Sequence, residues 1–93
     1  MKIVYFAWLK ERAGRGEVRV SPPPEVSDVA ALIAWLTQQD AGHAAAFSDM
    51  SAVRVAVNQE YVSLDHPVGA GDEIAFFPPV TGGSVSAGFE DIP

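Results

Sequence analysis

The chain has 93 residues, 48% of them apolar and 19% charged, with a formal net charge of −6 and no cysteine. That length makes one domain of ordinary globular composition, and the acidity argues against a basic nucleic-acid footprint and fits either a basic protein partner or a charge that only keeps the chain in solution. Without cysteine there is neither a disulfide framework nor a thiolate nucleophile, and His43 and His66 lie far apart in sequence without matched carboxylates, so no metal site is expected.

Residues 2–8 are apolar on both alternating faces after Lys2, as in a central strand covered on one side and open to a partner on the other. No apolar run approaches the ~20 residues of a membrane span. Lys10, Glu11 and Arg12 follow too soon for a signal-peptide core, so a cytoplasmic protein with no membrane partner is expected. Leu9 to Ala13 predicts a helical turn ended by Gly14 and Gly16, and a hairpin through those glycines leads to a strand over Glu17–Val20.

Ser21-Pro22-Pro23-Pro24 is a stiff connector that cannot extend a strand ladder. The main helix follows, with Ser27 as N-cap and Asp28 in the first turn. Its apolar stripe is Val29, Leu32, Ile33 and Leu36, at i, i+3, i+4 and i+7, and Thr37–Asp40 and Gly42 close it. The alanine-rich stretch 43–50 predicts a second, short helix. Val53–Val57 reads as a strand, Asn58-Gln59-Glu60 as a turn into a short Tyr61-Val62 strand, and Asp65-His66-Pro67 and Gly69–Asp72 as turns. Trp8 and Trp35 read as packing or rim residues. The last strand is Glu73–Phe77, stopped by Pro78-Pro79. The element order β-β-α-β-β-β around one amphipathic helix predicts an α+β fold, a mixed sheet packed on one main helix. The organisation expected is a domain over 1–81 and a tail over 82–93.

Gly82-Gly83 alone is weak evidence, since a chain with 8 glycines in 93 residues has a fair chance of one such pair. Its context is more specific. Two prolines take the chain out of the sheet on an extended path, and glycines without Cβ can thread a narrow channel in a partner.

Three stretches resemble the MoaD/ThiS-like family of ubiquitin-like sulfur carriers, in its molybdopterin synthase small-subunit branch. They are Tyr5-Phe6-Ala7, Val57-Asn58-Gln59 through Val62-Ser63-Leu64-Asp65-His66-Pro67, and Gly71 through Phe76-Phe77-Pro78-Pro79-Val80-Thr81-Gly82-Gly83. The resemblance spans residues 1–83 in plan and is most specific in the Phe-Phe-Pro-Pro-Val-Thr-Gly-Gly ending. It implies a β-grasp with the first and last strands parallel neighbours. It also implies adenylation of the Gly83 carboxylate by an E1-like enzyme that uses ATP, replacement of AMP by sulfur, and donation of that thiocarboxylate sulfur to cyclic pyranopterin monophosphate. The resemblance further implies that the reaction takes place in a pocket of the molybdopterin synthase large subunit, within a heterotetramer, and that this chain itself binds no cofactor.

In that branch Phe6, Tyr61 and Phe77 correspond to apolar interface positions, continued by Pro78, Pro79, Val80 and Thr81 toward the reactive Gly82-Gly83. The bland alternative is that the aromatics are core, with Tyr61 the one expected to be exposed. Other carriers of the family serve thiamine, cysteine or tRNA thiolation, and ubiquitin-like modifiers end on a target lysine. The departure from the family is the ten residues Ser84–Pro93. While Ser84 is attached, Gly83 has an amide and no carboxylate, so the resemblance requires a processing protease, a fusion remnant or a disabled or regulated copy.

Overall fold

Lys2–Tyr5 forms β1, shorter than the apolar run that contains it, because Ala7 adopts φ 55° and ψ −135° and turns the chain out of the sheet. That backbone region is costly for a residue with a Cβ, on the order of 1–3 kcal/mol. Trp8–Ala13 then forms α1, ended by Gly14 in the left-handed conformation at φ 83°, its N–H donating to the Lys10 carbonyl. Glycine takes that conformation without the Cβ penalty. Glu17–Arg19 is β2, antiparallel to β1 with Ile3 opposite Val18. The pairing expected of a hairpin is present, but the link is α1 and not a tight turn. The computed structural model describes residues 1–79.

The main helix, α2, runs Val29–Thr37 and buries the predicted stripe of Val29, Leu32, Ile33 and Leu36. Its N-cap is Asp28 and not Ser27, with Asp28 Oδ1 accepting from the Ala31 N–H at 2.8 Å. Ser27 instead uses its carbonyl to accept from the Val68 N–H, and Asp28 forms an isolated bridge to Pro67. The loop at Asp65-His66-Pro67 is thereby stitched to the start of α2, in keeping with its reading as turn chemistry.

Ala41–Ala46 is a separate helix, α3, capped by Asp40. Gly42 therefore lies inside α3 and does not close α2. A Cβ at Gly42 would sit 3.0 Å from the backbone carbonyl oxygens of Arg12 and Ala13, so the glycine lets α3 approach the end of α1 closely. A 3-10 turn over Met50–Ala52 leads into β3, Arg54–Val57; β4 is Glu60–Tyr61 and β5 is Glu73–Phe77.

The sheet order is β2-β1-β5-β3-β4. The first and last strands are central parallel neighbours, Ile3 opposite Ile74 and Tyr5 opposite Phe76, and β3 runs antiparallel to β5. This is the β-grasp: a mixed sheet with its helices on one face. Ile3, Tyr5, Val55, Val57, Ile74 and Phe76 point to the helix side, where they pack with Leu9, Leu32, Leu36 and Phe47. Truncating one such buried Leu costs about 2–5 kcal/mol, a large part of a small domain's stability.

Candidate functional site

Because strand side chains alternate, each strand that feeds the helix-side core also presents a second set of residues to the opposite face. From β1 these are Lys2 and Val4, from β5 Glu73, Ala75 and Phe77, and from β3 Arg54 and Ala56. Strand register places Val4 beside Ala75, Ala75 beside Ala56, and Ala56 beside Tyr61. The middle of this open face is therefore floored by small residues. Ala56, Ala75 and Phe77 form a buried cluster separate from the main core, with half-buried Phe6 packed against it.

The three aromatic residues expected at an interface meet here, in different environments. Phe6 follows β1 directly, its N–H donating to the Phe76 carbonyl at 3.1 Å. Phe77 is only 2% exposed and Tyr61 is 56% exposed, yet their ring centroids lie 5.4 Å apart with the planes tilted by 38°. The bland alternative thus holds for Phe77, which is core to this face, and fails for Tyr61. A shallow depression beside them is lined by Val4, Phe6, Gln59, Glu73 and Ala75. Pro78 and Pro79 are half-buried where β5 ends. Val80, Thr81, Gly82 and Gly83, and with them the tail expected over 82–93, lie outside the described residues.

Charged groups rim the apolar floor. Lys2 Nζ lies 3.7 Å from a carboxylate oxygen of both Glu17 and Glu73, and exposed Arg54 is registered with Phe77. The β3–β4 turn that carries Tyr61 is held at positive φ at both Asn58 (51°) and Gln59 (69°), as a two-residue primed turn requires. Asn58 also pins it to the start of β5. Its side-chain amide donates to Asp72 Oδ1 at 2.9 Å and its Oδ1 accepts from the Glu73 N–H at 3.0 Å. The open face is therefore built on a braced hairpin, which fixes the height of Tyr61 above Phe77.

On the other side of the sheet the structure overturns one sequence argument. His43 does have a matched carboxylate: Asp40, the α3 N-cap, whose Oδ1 accepts from the His43 N–H at 2.8 Å and from His43 Nδ1 at 2.9 Å. An ionised carboxylate can only accept, so Nδ1 carries the ring proton. In the neutral ring Nε2 then accepts from the Tyr5 hydroxyl. His43 is 3% exposed, and this chain satisfies both of its ring nitrogens. The hydrogen bonds from His43 hold the Asp40 carboxyl below the usual carboxylate range, and burial pushes the Tyr5 phenol above its ordinary value. With Asp40 Oδ2 lying 3.8 Å from Arg15, the network ties β1 to α3. It is a structural brace on the helix side, away from the open face. Among the described residues no group of three or more His, Cys, Asp and Glu side chains could hold a metal ion, and no helix is long and apolar enough to cross a membrane.

Val4, Ala56 and Ala75 of the open face are not distinguishable in the sequence, where Val4 sits within an apolar run and the two alanines occupy ordinary strand positions. No sequence signal marks them: the floor follows from strand register, which sets Val4 beside Ala75 and Ala75 beside Ala56.

The model of the ThiS family matches residues 3–83 of this chain. The molybdopterin synthase sulfur carrier subunit of Escherichia coli (strain K12) is 41% identical over 83 residues, 89% of this chain and 99% of that protein. The subunit of the same name from Haemophilus influenzae is 34% identical over the same shares of each chain. Of solved structures, small archaeal modifier protein 1 of Haloferax volcanii superposes with a TM-score of 0.70 at 33% identity, covering 86% of this chain and 97% of that one. Subunits 1 and 2 of the molybdopterin-converting factor from Helicobacter pylori form a solved complex with a matching chain, at a TM-score of 0.58 and 21% identity, covering 88% of this chain and 96% of that one. That last likeness is one of fold alone. With the family match running from the first strand through Gly83, this chain belongs to the ThiS family.

Proposed function

We propose that this chain is the sulfur carrier subunit of a molybdopterin synthase, and that its reactive group is the Gly83 carboxylate, freed and converted to a thiocarboxylate. The observation that carries the reading is the near-complete coverage of relatives bearing that name: 83 residues here account for 99% of the Escherichia coli protein. The chemistry suits a chain without cysteine. A carboxylate is a poor electrophile until a leaving group is installed. An E1-like enzyme supplies one by attaching AMP from ATP with release of pyrophosphate. Persulfide sulfur from a desulfurase then attacks the Gly83 carbonyl and displaces AMP, and a thiol reductant cleaves the resulting acyl disulfide to leave the thiocarboxylate, a competent sulfur nucleophile. The ATP belongs to the activating enzyme, and no cofactor is assigned to this chain.

The large subunit is the partner proposed for the open face, in a heterotetramer. Tyr61 supplies exposed aromatic surface, Phe6 and buried Phe77 back it, and Ala56 and Ala75 leave room for a partner side chain. Aromatic anchors around a desolvated centre are a common source of interface energy. From β5, Pro78, Pro79, Val80 and Thr81 lead to Gly82-Gly83, which enters the partner's pocket. Two carriers in turn then supply the dithiolene sulfurs of molybdopterin, which is built on cyclic pyranopterin monophosphate. The acid-base and phosphate-binding groups belong to that partner, in line with the −6 charge of this chain.

The likeness to small archaeal modifier protein 1 favours one second reading, a ubiquitin-like modifier joined through Gly83 to a lysine. Incubating a chain that ends at Gly83 with an E1-like enzyme, ATP and a sulfur source tests the carrier reading. Intact mass should rise by the oxygen-to-sulfur difference. No rise under conditions that charge a known carrier contradicts it, and isopeptide-linked ladders in cells would favour the modifier.

A further inference from the structure

We infer that the open face fits an acidic rim on its partner: Arg19 and Arg54, at opposite corners of the apolar floor, each take a carboxylate of the large subunit. The inference rests on the reading of that subunit as the partner, and it adds the chemistry of the surface that meets this one.

The charge of the face differs from the charge of the chain. Arg19 is the register partner of Lys2, and Arg54 that of Phe77, so all three cations stand on the open side of the sheet. Glu17 and Glu73 are the carboxylates beside them, and Lys2 Nζ lies 3.7 Å from each. One lysine thus engages both acids of the face. Arg19 and Arg54 are exposed, and neither has a carboxylate within ion-pair distance among the described residues.

The acidity behind the −6 charge lies elsewhere in the fold. Asp28, Asp40 and Asp49 are N-caps of α2, α3 and the 3-10 turn, and Asp72 accepts from Asn58. Two further cations are also engaged away from the face: Arg12 stacks 4.7 Å from the Trp8 ring and Arg15 lies 3.8 Å from Asp40. Net charge therefore misdescribes the surface that a partner of the open face would meet.

Arg54 is held ready for such a contact. One nitrogen of its guanidinium, Nη1, donates to the Ser51 and Val53 carbonyls at 3.3 and 3.1 Å, which limits the swing of a long side chain. Nε and Nη2 have no partner among the described residues, and that edge of the fork matches a carboxylate in geometry. The position is also suited, because Arg54 flanks Phe77 where β5 ends and the chain leaves the sheet.

Strand register sets the spacing of the two arginines. In the sheet order β2-β1-β5-β3-β4, Arg19 lies on the row of Lys2 and Glu73, and Arg54 on the row of Phe77. Strands ~4.8 Å apart with a rise of ~3.3 Å per residue put their Cα atoms about 20 Å apart on a diagonal. Val4 and Ala75 lie between them. An apolar centre with charges at its margin is the usual anatomy of an interface, and that span fits within one of standard size.

Titration calorimetry of the full chain, and of the chain ended at Gly83, against a molybdopterin synthase large subunit tests the inference. Arg19→Glu and Arg54→Glu should each weaken binding about tenfold, with the double variant weaker still and less sensitive to salt. Glu25→Lys, exposed on the connector before α2, should bind within about twofold of wild type. The sign is decisive, because each Arg→Glu change makes an acidic chain more acidic, and a basic partner surface would then bind it more tightly. Urea unfolding of each variant should match wild type, as expected of exposed side chains. Unchanged or tighter binding by either Arg→Glu variant, with wild type binding normally, overturns the inference alone. Absence of wild-type binding at both lengths overturns the partner reading itself, and the inference with it.

Discussion

Tyr61 stands over Phe77 with ring centroids 5.4 Å apart, so an exposed residue of the open face rests on a buried one. The two aromatics therefore differ in what their removal does. Tyr61→Ala should weaken assembly with the large subunit while leaving the unfolding free energy within about 0.5 kcal/mol of wild type, as surface changes usually do. Phe77→Ala opens a cavity beside Ala56 and Ala75 and should cost about 3–5 kcal/mol of stability. Titration calorimetry and urea unfolding of each variant separate these effects. Equal loss of stability in both would contradict the assignment of Tyr61 as an anchor.

The buried pair Tyr5–His43 yields a coupling prediction. Tyr5→Phe leaves His43 Nε2 without its hydroxyl partner in the core and should cost about 1–3 kcal/mol, whereas replacing both partners by apolar groups costs less than the sum of the single changes. The double variant Tyr5→Phe, His43→Leu should therefore be more stable than additivity allows. Strict additivity in a double-mutant cycle would show that the hydrogen bond contributes nothing.

The same network sets opposite limits on the pH range. Asp40 is held below its ordinary pKa in the folded state. The stability it contributes is thus present above the unfolded carboxylate value of about 4 and is lost as pH falls through the folded value. The Tyr5 phenol is held above its ordinary value, so its contribution is complete below pH of about 10 and is lost as pH rises beyond it. Urea midpoints measured across pH should fall at both ends. Asp40→Asn should flatten the acid limb and Tyr5→Phe the alkaline one.

Much of the fold was legible because its largest signals are local. The stripe Val29, Leu32, Ile33, Leu36 has only one helical reading, and Glu73–Phe77 is bounded by turn residues and prolines. The errors arose where tertiary contacts choose between neighbours. Ser27 and Asp28 are both good caps, and the pairing of Ser27 with Val68 and of Asp28 with Pro67 decides for Asp28. Gly42 looked like a helix terminator, but the approach of α3 to α1 requires it inside a helix. His43 and Asp40 are three residues apart, as across one helical turn, and that pairing was available in the sequence. Its importance depends on Tyr5, 38 positions away from His43. At the open face, Phe6, Tyr61 and Phe77 were identified through the family resemblance, whereas the shallow floor of Val4, Ala56 and Ala75 follows only from strand register.

The helix cap offers a simple check on the corrected start of α2. Asp28→Ala should cost about 1 kcal/mol through loss of the bond to the Ala31 N–H, and Ser27→Ala should cost distinctly less because the contact of Ser27 to Val68 uses its backbone. Thermal or urea unfolding of the two variants reads the difference, and the reverse order would restore Ser27 as the cap.

The function proposed for this fold is delivery of sulfur from Gly83 to a molybdopterin precursor. Its most direct test is a reconstitution with the chain ended at Gly83, prepared as the thiocarboxylate, mixed with a molybdopterin synthase large subunit and cyclic pyranopterin monophosphate, without ATP. Molybdopterin should form with stoichiometric loss of the thiocarboxylate mass, and much more slowly with Tyr61→Ala. A fully thiocarboxylated chain that yields no molybdopterin, where a known carrier does so with the same large subunit, would contradict it.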